Sequence, residues 1–191
     1  MWAPLSSLVD GCSRFLTRFS RDEAGMTTTL EFAFVAAPFF ALLFGIIELG
    51  MIFLLSTSLE SATDIVARKL RTGELQTAPG GVTAVIFANK ICGESIVSWL
   101  GSNCGSNLSV DVNNTFTQFQ KTNVPDPITS KGAFDKTALT FLPGGPSDIV
   151  LVRTFYVWTL IAPGLDGAIQ QLSNGQILIT STAVFRNEPY Q

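Results

Sequence analysis

Histidine does not occur in this chain of 191 residues. Its absence excludes serine–histidine and cysteine–histidine nucleophile pairs and every histidine-ligated metal site. Charge is the second shortage: Asp, Glu, Lys and Arg make up 14% of the residues, against about a quarter in an ordinary soluble domain. Apolar residues reach 47%, so the chain is no disordered, charge-rich tail. A net charge of −3 offers no basic surface to phosphate, which argues against a nucleic-acid partner. A Gly-rich phosphate loop, a nucleophile elbow and a paired-carboxylate site are also missing, and PGG and GGP read as turns. The expectation is a non-enzymatic protein with no catalytic residues, no cofactor, no metal and no small-molecule substrate.

What is present is concentrated. From Phe32 to Leu55 the chain reads FAFVAAPFFALLFGIIELGMIFLL, with Glu48 as its single charge. A helix of that length extends roughly 36 Å, enough to cross a hydrocarbon core of about 30 Å. The run is too long and begins too late for a cleaved secretory signal, so it is expected to be a transmembrane anchor. Arg14, Arg18 and Arg21 precede it and Arg68, Lys69 and Arg71 follow it, and the balance leaves orientation undecided. The cysteines speak to orientation. Cys92 and Cys104 lie beyond the anchor; a disulfide between them would need an oxidising compartment, whereas two separate buried thiols would not. Cys12 lies on the other side of the anchor, where it would stay reduced. Pairing favours a cytoplasmic N-terminus and an extracytoplasmic C-terminal domain.

The helix is expected to run on from Thr27 for about 45 residues. Leu59, Ala62, Ile65, Val66 and Leu70 keep a helical spacing in its second half, and Gly73 follows as a stop. Pro38 is expected to bend it. Val82 to Leu100 reads as a second helix. LSVDVN, Ile149 to Ile161 and Ile177 to Phe185 read as strands, with a short helix in PGLDGAIQQLSNGQ. Residues 117–147, rich in Thr, Asn, Pro and Gly, read as a surface excursion. Phe116 at its edge and Phe119, Phe134 and Phe141 within it are expected to tuck onto the domain rather than form an adhesive or subunit-contact surface. The fold class is α+β: a long transmembrane helix continuing into a domain with a small antiparallel sheet of about three strands packed against helices, pilin-like. The expected organisation is a cytoplasmic leader at 1–25, a transmembrane helix at 26–56 and an extracytoplasmic α+β domain at 57–191.

Gly25-Met26-Thr27-Thr28-Thr29-Leu30-Glu31-Phe32, leading into the apolar helix, resembles the processing site of type IV prepilins. More narrowly, RDEAG followed by LEFAFVAAPFFALLFGIIELG resembles the N-terminal signature of TadE-like minor pilins (pseudopilins) of the tight-adherence, or Tad, pilus. The closing ITSTAVFRNEPY is similar to the last strand and Arg-x-Glu-Pro ending of that family. The resemblance implies a protein of the bacterial inner membrane, with its N-terminus cytoplasmic and its C-terminal domain periplasmic. A prepilin peptidase would cut after Gly25 and free the amine of Met26. Glu31, ahead of Phe32, would then serve peptidase recognition or pair with a neighbouring subunit's amine. Such motifs usually put the glutamate fifth in the mature chain. Cutting after Gly25 makes Glu31 the sixth, and cutting after Met26 restores the spacing, so both bonds stay open. The implied partners are the peptidase, other Tad pilins and assembly proteins, and the implied role is pilus assembly and surface adhesion. A signal-anchored ligand-binding or interaction domain outside any pilus is the alternative.

Ala33, Ala37, Ala41 and Gly45 recur every fourth residue, a small-residue face of the kind that lets membrane helices approach closely. Glu48 lies near the edge of that face. A carboxylate this deep in an apolar segment is expected to face protein rather than lipid, unless it reaches water at the outer surface.

Overall fold

The computed structural model describes residues 23–95, 104–116, 124–161 and 166–190. The chain divides into two compact units, residues 1–44 and 45–191. One helix, α1 (Glu23–Arg71), contributes to both. It starts earlier than Thr27 and continues through Pro38. In the first unit its apolar side chains stand exposed, among them Phe32 at 68%, Phe34, Val35, Phe39 and Leu42.

In the second unit the helix becomes one-sided. Ile52, Leu55, Leu59, Ala62, Val66 and Leu70 join the core, a spacing of threes and fours that keeps one stripe facing inward. Ile65, expected on that stripe, is 41% exposed. The helix stops where Gly73 takes a left-handed φ of 79° and its N–H donates to the Leu70 carbonyl. Only glycine fits there for a second reason, because the Tyr190 ring occupies the space a Cβ would need. The chain's last residues close the helix end: the Glu188 N–H donates to the Arg71 carbonyl at 2.8 Å, one of the acceptors a helix terminus leaves open.

After a turn comes α2 (Ala84–Glu94). Thr83 caps it, its hydroxyl accepting the Ile86 N–H at 3.3 Å, as hydroxyl side chains do at helix starts. This helix is shorter than the Val82 to Leu100 expected; it ends at Ser95, and residues 96–103 lie outside the described part. A single turn, α3 (Cys104–Asn107), leads into β1 (Leu108–Phe116). The other strands are β2 (Ile149–Thr159) and β3 (Gln176–Arg186), with the turn α4 (Asp166–Ile169) between them. The sheet is antiparallel in the order β1-β2-β3, in agreement with the three strands expected. Its inner face presents Val110, Val112, Val150, Val152, Tyr156, Ile177 and Ile179 to the core shared with α1 and α2. Thr63 on α1 and Thr154 on β2 share a buried hydrogen bond of 2.8 Å, which satisfies two hydroxyls that burial would otherwise penalise.

The 117–147 excursion is ordered where described. Val112 bridges Phe141 beyond the edge of β1, with the Val112 N–H donating to Thr140 and the Leu142 N–H to Val112. Phe141 packs edge-on to Phe87, and Phe134 lies 5.6 Å from Phe155, centroid to centroid. Phe119 and the side chain of Phe116 fall outside the described residues.

Candidate functional site

Glu48 is 3% exposed. Its burial follows from helical spacing, since Glu48, Ile52 and Leu55 lie four and three residues apart on the stripe that meets the head. The end of β2 meets it there. The Trp158 indole Nε1–H donates to Glu48 Oε1 at 2.8 Å, and the Ile161 backbone N–H donates to Oε2 at 3.0 Å. Each carboxylate oxygen thus accepts from a different kind of donor, a bidentate arrangement suited to a charged acceptor held away from water. Ile52, Trp158 and Leu160 pack against the core. The arrangement ties the end of strand β2 to one level of the helix.

The other residues singled out from sequence do not gather around it. Gly25 and Met26 lie in the first turn of α1. Glu31, Phe32, Ala33, Ala37 and Ala41 are exposed, and Gly45 is half-buried. Cys92 and Cys104 form a disulfide that joins the end of α2 to α3. Among the described residues no group of three or more Cys, Asp or Glu could hold a metal ion.

Trp158 and Ile161 are the residues sequence reasoning missed. The spacing Leu55, Leu59, Ala62, Val66 carried two steps backward reaches Ile52 and Glu48, a signal hidden because every neighbour is apolar. For the partners at Trp158 on β2 and Ile161 just beyond it, more than a hundred residues away, no local signal exists.

An ion pair braces the outer face of the sheet. Asp111 and Arg153 face each other across β1 and β2; Arg153 Nε and Nη2 both donate to Asp111 Oδ2, at 2.9 and 2.7 Å. Asp111 Oδ1 accepts the Thr140 N–H at 2.7 Å, and Arg153 Nη1 donates to the Pro125 carbonyl. Together they hold the covering loop to the strands. The groups whose acidity the fold shifts also serve structure. Burial pushes the Tyr156 phenol up, partly offset by a hydrogen bond with Asn107. Burial and then the Asp148 charge push Tyr190 up. Hydrogen bonds from the Thr137 side chain and backbone hold Asp135 down.

Among the described residues, α1 is the one helix long and apolar enough to cross a membrane. No curated protein and no solved structure matches the chain. The family described as TadE-like protein matches residues 26–68, which run along α1 from its first turns nearly to its end and include Glu31, the small-residue face and Glu48. Gly25, the disulfide, Trp158, Ile161 and the closing strand lie outside the match. The chain therefore carries, over residues 26–68, a segment similar to TadE-like proteins.

Proposed function

We propose that this protein is a minor pilin, a membrane-anchored structural component that assists Tad pilus assembly and surface adhesion. The observation that carries the reading is the coincidence of the TadE-like segment with a continuous apolar helix whose side chains stand exposed. Exposed Phe, Leu and Ile in such number suit lipid or the helices of neighbouring pilins. The chain crosses the bacterial inner membrane once, N-terminus in the cytoplasm and α+β head in the periplasm. The Cys92–Cys104 disulfide supports that orientation, because oxidising compartments preserve such bonds. Cleavage at Gly25 or Met26 by a prepilin peptidase frees an N-terminal amine for Glu31 of a neighbouring subunit, and Ala33, Ala37, Ala41 and Gly45 give the packing face.

The test is the mass of the full chain recovered from membranes of cells that contain a prepilin peptidase. The expected product begins at Met26 or Thr27. Gly25→Leu or Glu31→Ala should leave the longer, unprocessed chain. An intact N-terminus in the unaltered protein, with pili unaffected by its deletion, would instead favour a signal-anchored interaction domain outside any pilus.

A further inference from the structure

The head meets α1 at a level where the helix is still apolar. From Glu48 to Leu55 one flank packs inward through Ile52 and Leu55, while Leu49, Phe53 and Leu54 remain exposed, Phe53 at 71%. These two turns cover about 10 Å along the helix axis. The twenty residues from Thr28 to Ile47 already extend about 30 Å, the thickness of the hydrocarbon core. Whatever part of the head bonds to Glu48 therefore stands at the outer boundary of the membrane.

That part is the end of β2. The Trp158 indole and the Ile161 amide both bond to Glu48, and the Ile161 side chain is 72% exposed. An exposed isoleucine at that depth gains by entering lipid. Trp158, half-buried with its N–H already satisfied, is the amphipathic ring that membrane interfaces favour. The surrounding chain is nearly free of charge: between Arg153 and Arg186 the only charged residue is Asp166.

We infer that the end of β2, through Trp158, Leu160 and Ile161, is a lipid-contact site that enters the outer headgroup and upper acyl region beside the helix. It is tied to α1 through Glu48, so that a polar group otherwise costly in a bilayer faces protein donors. The inference rests on the membrane-anchor reading.

Both can be tested in one preparation. The full chain with Cys12→Ser is labelled with a nitroxide at Ile161→Cys, Thr159→Cys, Val184→Cys or Phe40→Cys and placed in nanodiscs of phosphatidylcholine and phosphatidylglycerol. Oxygen collects in lipid and a nickel chelate stays in water, so their relative access reports depth. The expected ratio of oxygen to nickel access at 161 is several-fold above that at 184, with 159 following 161 and 40 higher still. A ratio at 161 and 159 equal to that at 184, with 40 still oxygen-rich, overturns the lipid contact and leaves the anchor intact. Protection of 161 from both reagents also overturns it, in favour of contact with a second copy. Nickel access at 40 removes the anchor, and the lipid contact with it.

Discussion

At Glu48 a carboxylate is taken out of water, and both oxygens are satisfied by N–H donors from the same chain. A buried donor left without its acceptor costs about 1–3 kcal/mol, so Glu48→Ala strands the Trp158 indole and the Ile161 amide together. Both bonds are part-buried, so the loss falls short of two full penalties. The expected outcome is a loss of about 2–4 kcal/mol in head stability, read by denaturant unfolding in detergent micelles. With Trp2 and Trp99 replaced by Phe, Trp158 emission reports the same bond directly. Glu48→Gln keeps one carbonyl oxygen and should fall between. An Ala variant equal to the unaltered protein in both midpoint and emission would show that the bonds contribute nothing. Gly73 is the opposite case, a residue required for what it lacks: its left-handed φ and the Tyr190 ring over it leave no place for a side chain.

Among the elements, the helices and strands are largely legible in the sequence, and the reason differs for each. The half of α1 beyond Leu55 shows its stripe because Glu60, Asp64 and Arg68 supply contrast. The half before it is apolar throughout, so the stripe continues to Glu48 without a visible period. The strands β2 and β3 are rich in Val, Ile, Phe and Thr, residues that fit a pleated, half-buried surface. The excursion between β1 and β2 reads as surface from its Thr, Asn, Pro and Gly. Its docking onto the sheet depends on partners far along the chain, and the Asp111–Arg153 pair is one of the contacts that hold it. Their side chains are 3% and 14% exposed, unlike the open pairs Lys69–Glu94 and Arg71–Glu188, which contribute little. Breaking a buried pair by removing one partner costs about 3–5 kcal/mol. Asp111→Ala should lie at the upper end, since it also frees the Thr140 N–H and hydroxyl. Arg153→Ala leaves Asp111 bonded to Thr140 and should cost less. Limited proteolysis is expected to cut first within residues 124–142 in both variants. Cleavage at the unaltered rate, with unchanged stability, would remove the pair from any bracing role.

For the whole molecule, the cysteines join topology, processing and stability in one measurement. The Cys92–Cys104 bond spans a sequence separation of 12, a loop whose closure stabilises by about 3 kcal/mol on chain-entropy arithmetic. Replacing both by Ser should lower the melting temperature by about 2–4 °C for each kcal/mol lost, followed by circular dichroism in detergent. Cys12 adds the second reading, because it lies ahead of Gly25. An unprocessed chain offers one thiol to alkylation before reduction and three after it; a chain cut at Gly25 offers none before and two after. The added mass therefore reports pairing and cleavage independently. If Cys92 and Cys104 react without reduction in protein taken from membranes under acid quench, the domain folds without the bond. The periplasmic orientation then loses its support, while the count at Cys12 still decides whether the leader was removed.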